Sequence, residues 1–327
     1  MQTIQQKILV IGATGQIGSE LVPKLREIYG NENVIAMGHK TAPPPHLLTG
    51  PFLFADATDK QILHEIIQQH QINVIYHLAA LLSATGEQNP DLAWQINLNG
   101  LKTVLDLAVE NKIERVFWPS SIAVFGPETP KENVPNETVM RPKTMYGITK
   151  AVGELLCEYY YQKYNLDVRS LRYPGIISYE TLPGGGTTDW AVAIFYDAIK
   201  NGNYISFVSS DTTLPMMYMP DCLKATIDLM QADKNKLKHR CFNLAAMSFS
   251  PAEVTLEIKK HLPGFECNYA PDYRQVIANS WPKSINDTAA REEWGWSPDY
   301  DLSKMVADML QQISAKLLVT VDSDGRN

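Results

Sequence analysis

The sequence predicts an α/β protein: a doubly wound parallel sheet of the Rossmann type, with a smaller α/β substrate lobe at its C-terminal end. Three observations carry that expectation. A short apolar run, KILVI at residues 7–11, ends at a glycine-rich turn. A helical pattern follows the turn, with Ile17, Leu21, Leu25 and Ile28 three or four residues apart. Short apolar runs then alternate with helical stretches as far as Tyr173, the rhythm of parallel strands with helices on both faces.

Each element has its own reason. The continuous apolar run at 7–11 suits a strand buried on both faces. Tyr29-Gly30-Asn31 closes the first helix, and residues 33–37 make a second strand. Four prolines between 41 and 51 make that stretch a loop. Residues 52–54 form a third strand. Asp59 stands as N-cap of a helix carrying Ile62, Ile66 and Ile67. A fourth strand at 74–78 precedes a long helix, 91–110, with Trp94, Leu98, Leu101 and Leu105 as its stripe. Residues 115–119, 146–164 and 167–172 read as strand, long helix and strand.

The pattern loosens after Tyr173. Residues 174–188 are rich in Gly and Pro. A helix follows with Ala191, Ile194 and Ala198, then helices at 221–230 and 254–261. The polar end reads as a disordered tail. The expected division is a dinucleotide-binding unit over 1–173, a lobe over 174–318 interleaved with it, and a tail over 319–327.

Composition narrows the function. The chain has 327 residues and a formal charge of −7, with no Lys/Arg block, which disfavours nucleic acid as a partner. No apolar run approaches the ~18 residues of a membrane span. Met1 to Lys7 lacks the apolar core of a signal peptide. The four cysteines are scattered, without a C-x-x-C pair, which suits a reducing cytoplasm. Neither they nor the seven histidines cluster at metal-ligand spacing, so a metal-free mechanism is expected.

Two motifs carry chemistry. In Gly12-Ala13-Thr14-Gly15-Gln16-Ile17-Gly18 the first glycine permits a tight turn. The second admits a pyrophosphate to the backbone, and the third lets helix pack on strand. The anion then rests on free N–H groups at the helix N-terminus. An acidic residue gripping the ribose is expected near Gly38, but Met37-Gly38-His39-Lys40 has none. His39 and Lys40 either face a 2′-phosphate, favouring NADP, or are solvated loop residues. Asp56 either accepts from the adenine amino group or caps a turn. The second motif is Tyr146 and Lys150, i and i+4 on one helical face. An ammonium there stabilises a phenolate and lowers the tyrosine pKa. Ser121, just past the fifth strand, lies where parallel sheets bind ligands and can hold a substrate oxygen.

The glycine loop, Ser121 to Gly126, Tyr146 to Lys150, His77-Leu78-Ala79-Ala80 and Asn97-Leu98-Asn99-Gly100 together resemble the extended short-chain dehydrogenase/reductase superfamily, in the right order along almost the whole chain. The resemblance implies Ser121, Tyr146 and Lys150 as catalytic residues. It implies a nicotinamide cofactor, NAD with NADP still open. The residues holding it would be Gly12, Gly15, Gln16, Ile17, Gly18, Asp56, Ala57, Leu78, Ala79, Ala80, Asn97, Tyr146, Lys150, Tyr173 and Pro174. Asn97 would support the backbone behind the site. The missing acid near Gly38 departs from the NAD-type pattern.

Segments 119–127, 172–178, 183–189, 214–219, 243–249 and 280–282 resemble one branch of that superfamily, the short-chain L-threonine 3-dehydrogenases. That implies oxidation of the threonine β-hydroxyl to 2-amino-3-oxobutanoate. Ser83, Ser120, Ser121, Tyr146, Gly186, Thr187 and Trp281 would face the substrate. Residues 184–188 offer N–H groups and hydroxyls as an anion nest, or are only a flexible loop. Trp281 closes over the aliphatic side, or is only core. A homodimer through helices 91–110 and 146–164 is implied as well. Two rivals stand beside this: a nucleotide-sugar epimerase or dehydratase of the same fold, and a dinucleotide-sensing regulator without chemistry.

Overall fold

The computed structural model describes residues 6–182, 184 and 186–324, and for 319–324 only the backbone. Pro183 and Gly185 of the expected nest, and residues 325–327 of the expected tail, lie outside the described residues. Strand β1 (Ile8–Ile11) is buried at every position and feeds α1 (Gln16–Tyr29), which stops at Gly30 with φ +88°. β2 (Val34–Gly38) and β3 (Phe52–Phe54) follow. α2 (Lys60–Gln69) starts at Asp59, whose carboxylate accepts from the Ile62 N–H at 3.1 Å.

After β4 (Val74–His77) come α3 (Ser83–Gln88), α4 (Pro90–Trp94) and α5 (Gly100–Glu110). The single helix expected over 91–110 is instead interrupted by a π turn, Gln95–Asn99. The wider turn slips the helical phase, so Trp94 is exposed while Leu98, Leu101 and Leu105 stay buried. Next are β5 (Arg115–Phe117), β6 (Ser120–Ser121), α6 (Met145–Tyr164) and β7 (Asp167–Tyr173). α6 is capped by Thr144, whose hydroxyl accepts from the Gly147 N–H at 3.1 Å.

The remaining elements are β8 (Gly175–Ile177), α7 (Trp190–Asn201), β9 (Asn203–Ser206), β10 (Leu214–Tyr218), α8 (Met219–Gln231), β11 (Cys241–Asn243), β12 (Met247–Phe249), α9 (Pro251–His261), β13 (Glu266–Tyr269), α10 (Arg274–Ser280), α11 (Thr288–Trp294) and α12 (Leu302–Asp324). α12 continues through the start of the segment expected to be a tail, and no Gly or Pro between Leu302 and Asp324 interrupts it.

The main sheet runs β11-β7-β5-β4-β1-β2-β3, every pair parallel, with β6 also on β7. The chain leaves β1 toward β2 and β3 on one side and returns to β4 on the other. That reversal opens a crevice at the carboxyl ends of β1 and β4. One face of the sheet is covered by apolar residues of α2, α5 and α6, the other by those of α1 and α8. Two small sheets, β12-β10-β8 and β13-β9, complete the second lobe around its own core.

Candidate active site

The glycine turn fits its crevice atom by atom. Gly12 sits at φ +88°, and a Cβ there would lie 2.7 Å from the Ala79 nitrogen. A Cβ on Gly18 would lie 2.3 Å from the Gly12 carbonyl oxygen, so helix and strand meet with no side chain between them. Gly15 precedes α1 without a side-chain cap, which leaves the first N–H groups of the helix for a ligand. Beside the turn lies a cavity of about 460 Å³ lined in part by Gly12, Gly15, Gly38, His39, Lys40, Asp56, Ala57, Ala79 and Ala80. His39 and Lys40 are exposed at its edge. Asp56 caps a turn: one carboxylate oxygen accepts from the Thr58 N–H and hydroxyl, each at 2.8 Å. Those bonds hold its carboxyl below the usual range. Its other oxygen lies 3.8 Å from His39 Nε2.

At the sheet end, α6 presents Tyr146 and Lys150 one turn apart. Lys150 Nζ donates to the Pro119 carbonyl at 2.6 Å and lies 4.4 Å from the Trp118 ring centroid and 5.6 Å from that of Tyr146. Ser121 ends β6, its oxygen accepting from the Ala123 N–H at 3.2 Å, and its hydroxyl also meets the Tyr146 phenol. The expectation of a lowered tyrosine pKa fails for this enclosed geometry. Burial pushes Tyr146 up to about 12, against a smaller lowering by Ser121. Burial pushes Lys150 down to about 7.

Ser120 lines the same chamber as Ser121 and Tyr146. Its hydroxyl donates to the Glu154 carboxylate, which leaves the Ser120 oxygen as an acceptor. Asn97, in the π turn, accepts from the Leu81 N–H at 2.7 Å and donates to the Leu81 carbonyl and the Thr149 hydroxyl, each at 3.1 Å. It thereby ties the segment after β4 to α6. His77 is fully buried, with neither ring nitrogen hydrogen-bonded, and burial pushes it down to about 3, so it is neutral.

A chamber of about 180 Å³ joins these groups to the second lobe. Ser83, Ser121, Tyr146, Lys150, Gly186, Thr187 and Trp281 line it, as do Gln16, Ile17, Leu78, Ala80, Tyr173 and Pro174. Gly18 and Asn97 line neither cavity and act through packing and backbone support. The Gly186 N–H is engaged by Asp189 at 2.7 Å, which removes one donor from the expected nest.

A model of the NAD dependent epimerase/dehydratase family matches residues 8–245. The chain belongs to that family. It is 46% identical over 307 residues to the mitochondrial L-threonine 3-dehydrogenase of Bos taurus, covering 94% of this chain and 82% of that one. Among solved structures it is similar to L-threonine dehydrogenase from Phytophthora infestans, with TM-score 0.93 and 50% identity over 95% and 100% of the two chains. It is also similar to a monomeric L-threonine 3-dehydrogenase from a metagenome, with TM-score 0.90 and 48% identity over 94% and 98%.

A dinucleotide fits this epimerase/dehydratase-family site on the structure's own terms, because two glycines stand where any Cβ would close the cradle. The chamber wall includes Thr188 of the expected nest, and also Asp189, to which sequence reasoning gave no role. Asp189 immediately precedes α7 and supplies the only carboxylate among the described lining residues; its place after the Gly-rich run was the available signal. The arginines that a nucleotide-sugar diphosphate would need are elsewhere. Arg240 pairs with Asp167 at 3.3 Å and Arg274 with Asp272 at 2.6 Å, and neither lines the chamber.

Proposed function

We propose that this protein oxidises L-threonine at its β-hydroxyl to 2-amino-3-oxobutanoate, with NAD as acceptor. The observation carrying the proposal is the junction of Tyr146, Lys150 and Ser121 with Gly186, Thr187 and Trp281 in one small chamber. The relatives named above support the same substrate. The chamber suits a small zwitterion, with Asp189 toward an ammonium and the Thr187 hydroxyl toward a carboxylate.

A dinucleotide held at the glycine turn would supply, in its nicotinamide, the acceptor for the hydride leaving the substrate β-carbon. Tyr146, as phenolate, takes the hydroxyl proton while the carbon–oxygen bond becomes a carbonyl. Ser121 holds that oxygen by hydrogen bonding. The Lys150 ammonium favours the phenolate by its charge. Trp281 and Ser83 close the chamber around the substrate. Gly12, Gly15, Gln16 and Ile17 would hold the pyrophosphate, Asp56 and Ala57 would border the adenosine, and Leu78, Ala79, Ala80, Tyr173 and Pro174 would border the nicotinamide end.

We infer NAD from the Asp56 carboxylate, which borders the adenosine cavity and opposes a 2′-phosphate, against Lys40 and His39 on the same wall, which would attract one. Initial rates with L-threonine test both points. Turnover with NAD well above NADP is expected. No turnover with either would remove the substrate assignment, and strong NADP preference would make His39 and Lys40 phosphate ligands.

Leu92 and Trp94 on α4, and Ile148, Leu155 and Tyr159 on α6, are exposed apolar residues on helices that support a homodimer. Sedimentation at micromolar concentration is expected to give a dimer, and a monomer would refute it. The four free cysteines favour the cytoplasm. Among the described residues no helix is long and apolar enough to cross a membrane.

A further inference from the structure

Helix α6 carries a third polar residue in the file begun by Tyr146 and Lys150. Glu154 lies one turn beyond Lys150, at i+4, and is almost wholly buried. Burying a carboxylate is costly unless it is paired and hydrogen-bonded. Glu154 meets both conditions. Its Oε1 accepts from the Ser120 hydroxyl and from Arg172 Nε at 2.9 Å, and its Oε2 accepts from Arg172 Nη2 at 2.8 Å. Arg172 is itself held, donating to the Asn136 carbonyl at 2.6 Å and Asn243 Oδ1 at 3.0 Å.

The location of this pair gives it significance. Arg172 stands opposite Ser120 in the β6–β7 ladder, with Tyr173 opposite Ser121. The short segment 119–121 is therefore held at two points from α6. Lys150 grips the Pro119 carbonyl and Glu154 grips the Ser120 side chain. The next residue, Ser121, is the one that meets the Tyr146 phenol. A displacement of a few tenths of an ångström at Ser120 would be transmitted directly to that contact.

We propose that Glu154 is a positioning residue for the reaction: it fixes the strand end bearing Ser121 and places a buried carboxylate one turn beyond Lys150, without touching the substrate. The proposal rests on Tyr146, Lys150 and Ser121 being the acid–base unit described above. Electrostatics supports it. Desolvation lowers Lys150, while Cys157 and then Glu154 on the same helix oppose that lowering. Across from them, His77 on β4 is neutral, and Tyr146 carries its proton at neutral pH. Around Glu154 itself stand Arg172 on β7, Cys241 on β11 and Cys157, and burial keeps both thiols protonated. Glu154 is thus the anionic side chain acting on Lys150 among these groups.

The test is a pH titration of Lys150 in protein labelled with [ε-13C]lysine and free of dinucleotide, with the resonance assigned by its loss in Lys150→Arg. Glu154→Gln is expected to lower the Lys150 midpoint by about one pH unit, the scale for losing an opposite charge. Glu154→Asp keeps the charge and is expected to recover most of that shift. Because Glu154→Gln leaves Arg172 unpaired and endangers folding, the double variant Glu154→Gln/Arg172→Gln is titrated too. It removes both charges, so it is expected to fold with a Lys150 midpoint back toward wild type, while kcat stays low because the charged anchor of the strand end is gone. In parallel, kcat for L-threonine at pH 8 is expected to fall at least ~10-fold in Glu154→Gln with KM changed little, in the range of a misplaced acid–base group. An unchanged Lys150 midpoint in Glu154→Gln would overturn the proposal, as would wild-type kcat in the folded double variant. Wild-type protein inactive on L-threonine would sink the substrate assignment instead, and the lysine titration would still decide the role of Glu154.

Discussion

At Tyr146 two effects oppose each other. Enclosure by protein disfavours the phenolate, while the hydrogen bond from Ser121 favours it, and enclosure wins in the dinucleotide-free site. A base held that high must lose its proton with the help of nearby positive charge, so kcat/KM for threonine is expected to rise with pH above neutrality. Lys150→Met removes the ammonium and is expected to move that rise to higher pH; an unmoved profile would exclude the lysine from the acid–base unit. Tyr146→Phe deletes the proton acceptor outright. Turnover is expected to drop at least ~10² with dinucleotide binding retained, the scale of positioned acid–base catalysis. Measured kcat within a few-fold of wild type would remove Tyr146 from the chemistry. A third residue titrates far from the chamber. Glu20 on α1 accepts from the Ser178 hydroxyl at 2.6 Å, and burial, with Glu180 nearby, pushes it up to about 7, against the opposing charge of Lys316. The folded protein then holds a proton that the unfolded chain releases, so this stabilisation is full below about pH 4.5 and is lost as pH rises to about 7. Glu20→Gln stays neutral throughout. Its Tm is expected to exceed wild type at pH 8 and to match it near pH 4; equal Tm at both would refute the assignment. Tyr146 and Lys150 were legible in the sequence because i and i+4 fix a shared face. The partners of Glu154 and Ser120 were not, because Arg172 lies on a neighbouring strand that only folding brings alongside.

The element that best transmits sequence into function is the turn from β1 to α1. Its glycines were readable from spacing and context, and the structure supplies the reason in distances. Gly18→Ala would set a methyl 2.3 Å from the Gly12 oxygen and 2.8 Å from the Ala13 Cα. Both obstacles are backbone, so the helix start must move. Overpacking of this kind costs about 1–3 kcal/mol. Dinucleotide affinity, followed by fluorescence titration, is expected to fall at least ~10-fold, since a bound pyrophosphate depends on the position of the helix N-terminus. Unchanged affinity would mean that the helix start can shift without cost. The helix around Asn97 shows the opposite limit of legibility. Apolar spacing on either side of residues 95–99 is helical, so the sequence reads as one helix. A π turn leaves only a phase slip, visible in hindsight as the exposed Trp94 before the buried Leu98. The slip accompanies Asn97 reaching the Leu81 backbone, which a regular helical stripe gave no reason to expect.

At the scale of the whole molecule, the open question is whether residues 1–173 form a folding unit. The strand and helix rhythm marks a boundary there because local patterning changes character after Tyr173. Patterning says nothing of which later segments return, and two do. β11 pairs with β7 at the sheet edge, and α8 lays Met219, Cys222, Leu223, Ala225 and Leu229 in the same apolar cluster as Leu21, Val22 and Leu25 of α1. Polar closure depends on the same return. Arg169, wholly buried, donates to the carbonyls of Leu229 at 2.5 Å and Ala232 at 2.8 Å. A chain cut after Tyr173 would expose that apolar face and strip Arg169 of those two acceptors. Each large side chain uncovered costs about 1.5–3 kcal/mol, so three or four on α1 and β7 approach the whole ~5–15 kcal/mol stability of a domain. The fragment 1–173 is therefore expected to show no cooperative thermal transition under conditions where the full chain shows one, with circular dichroism as the probe. A sharp transition in the fragment, together with retained dinucleotide binding, would establish the first segment as autonomous and reduce the second lobe to a substrate cover. Its absence would mean that the crevice exists only when both segments are present, so cofactor binding and substrate binding share one folding event.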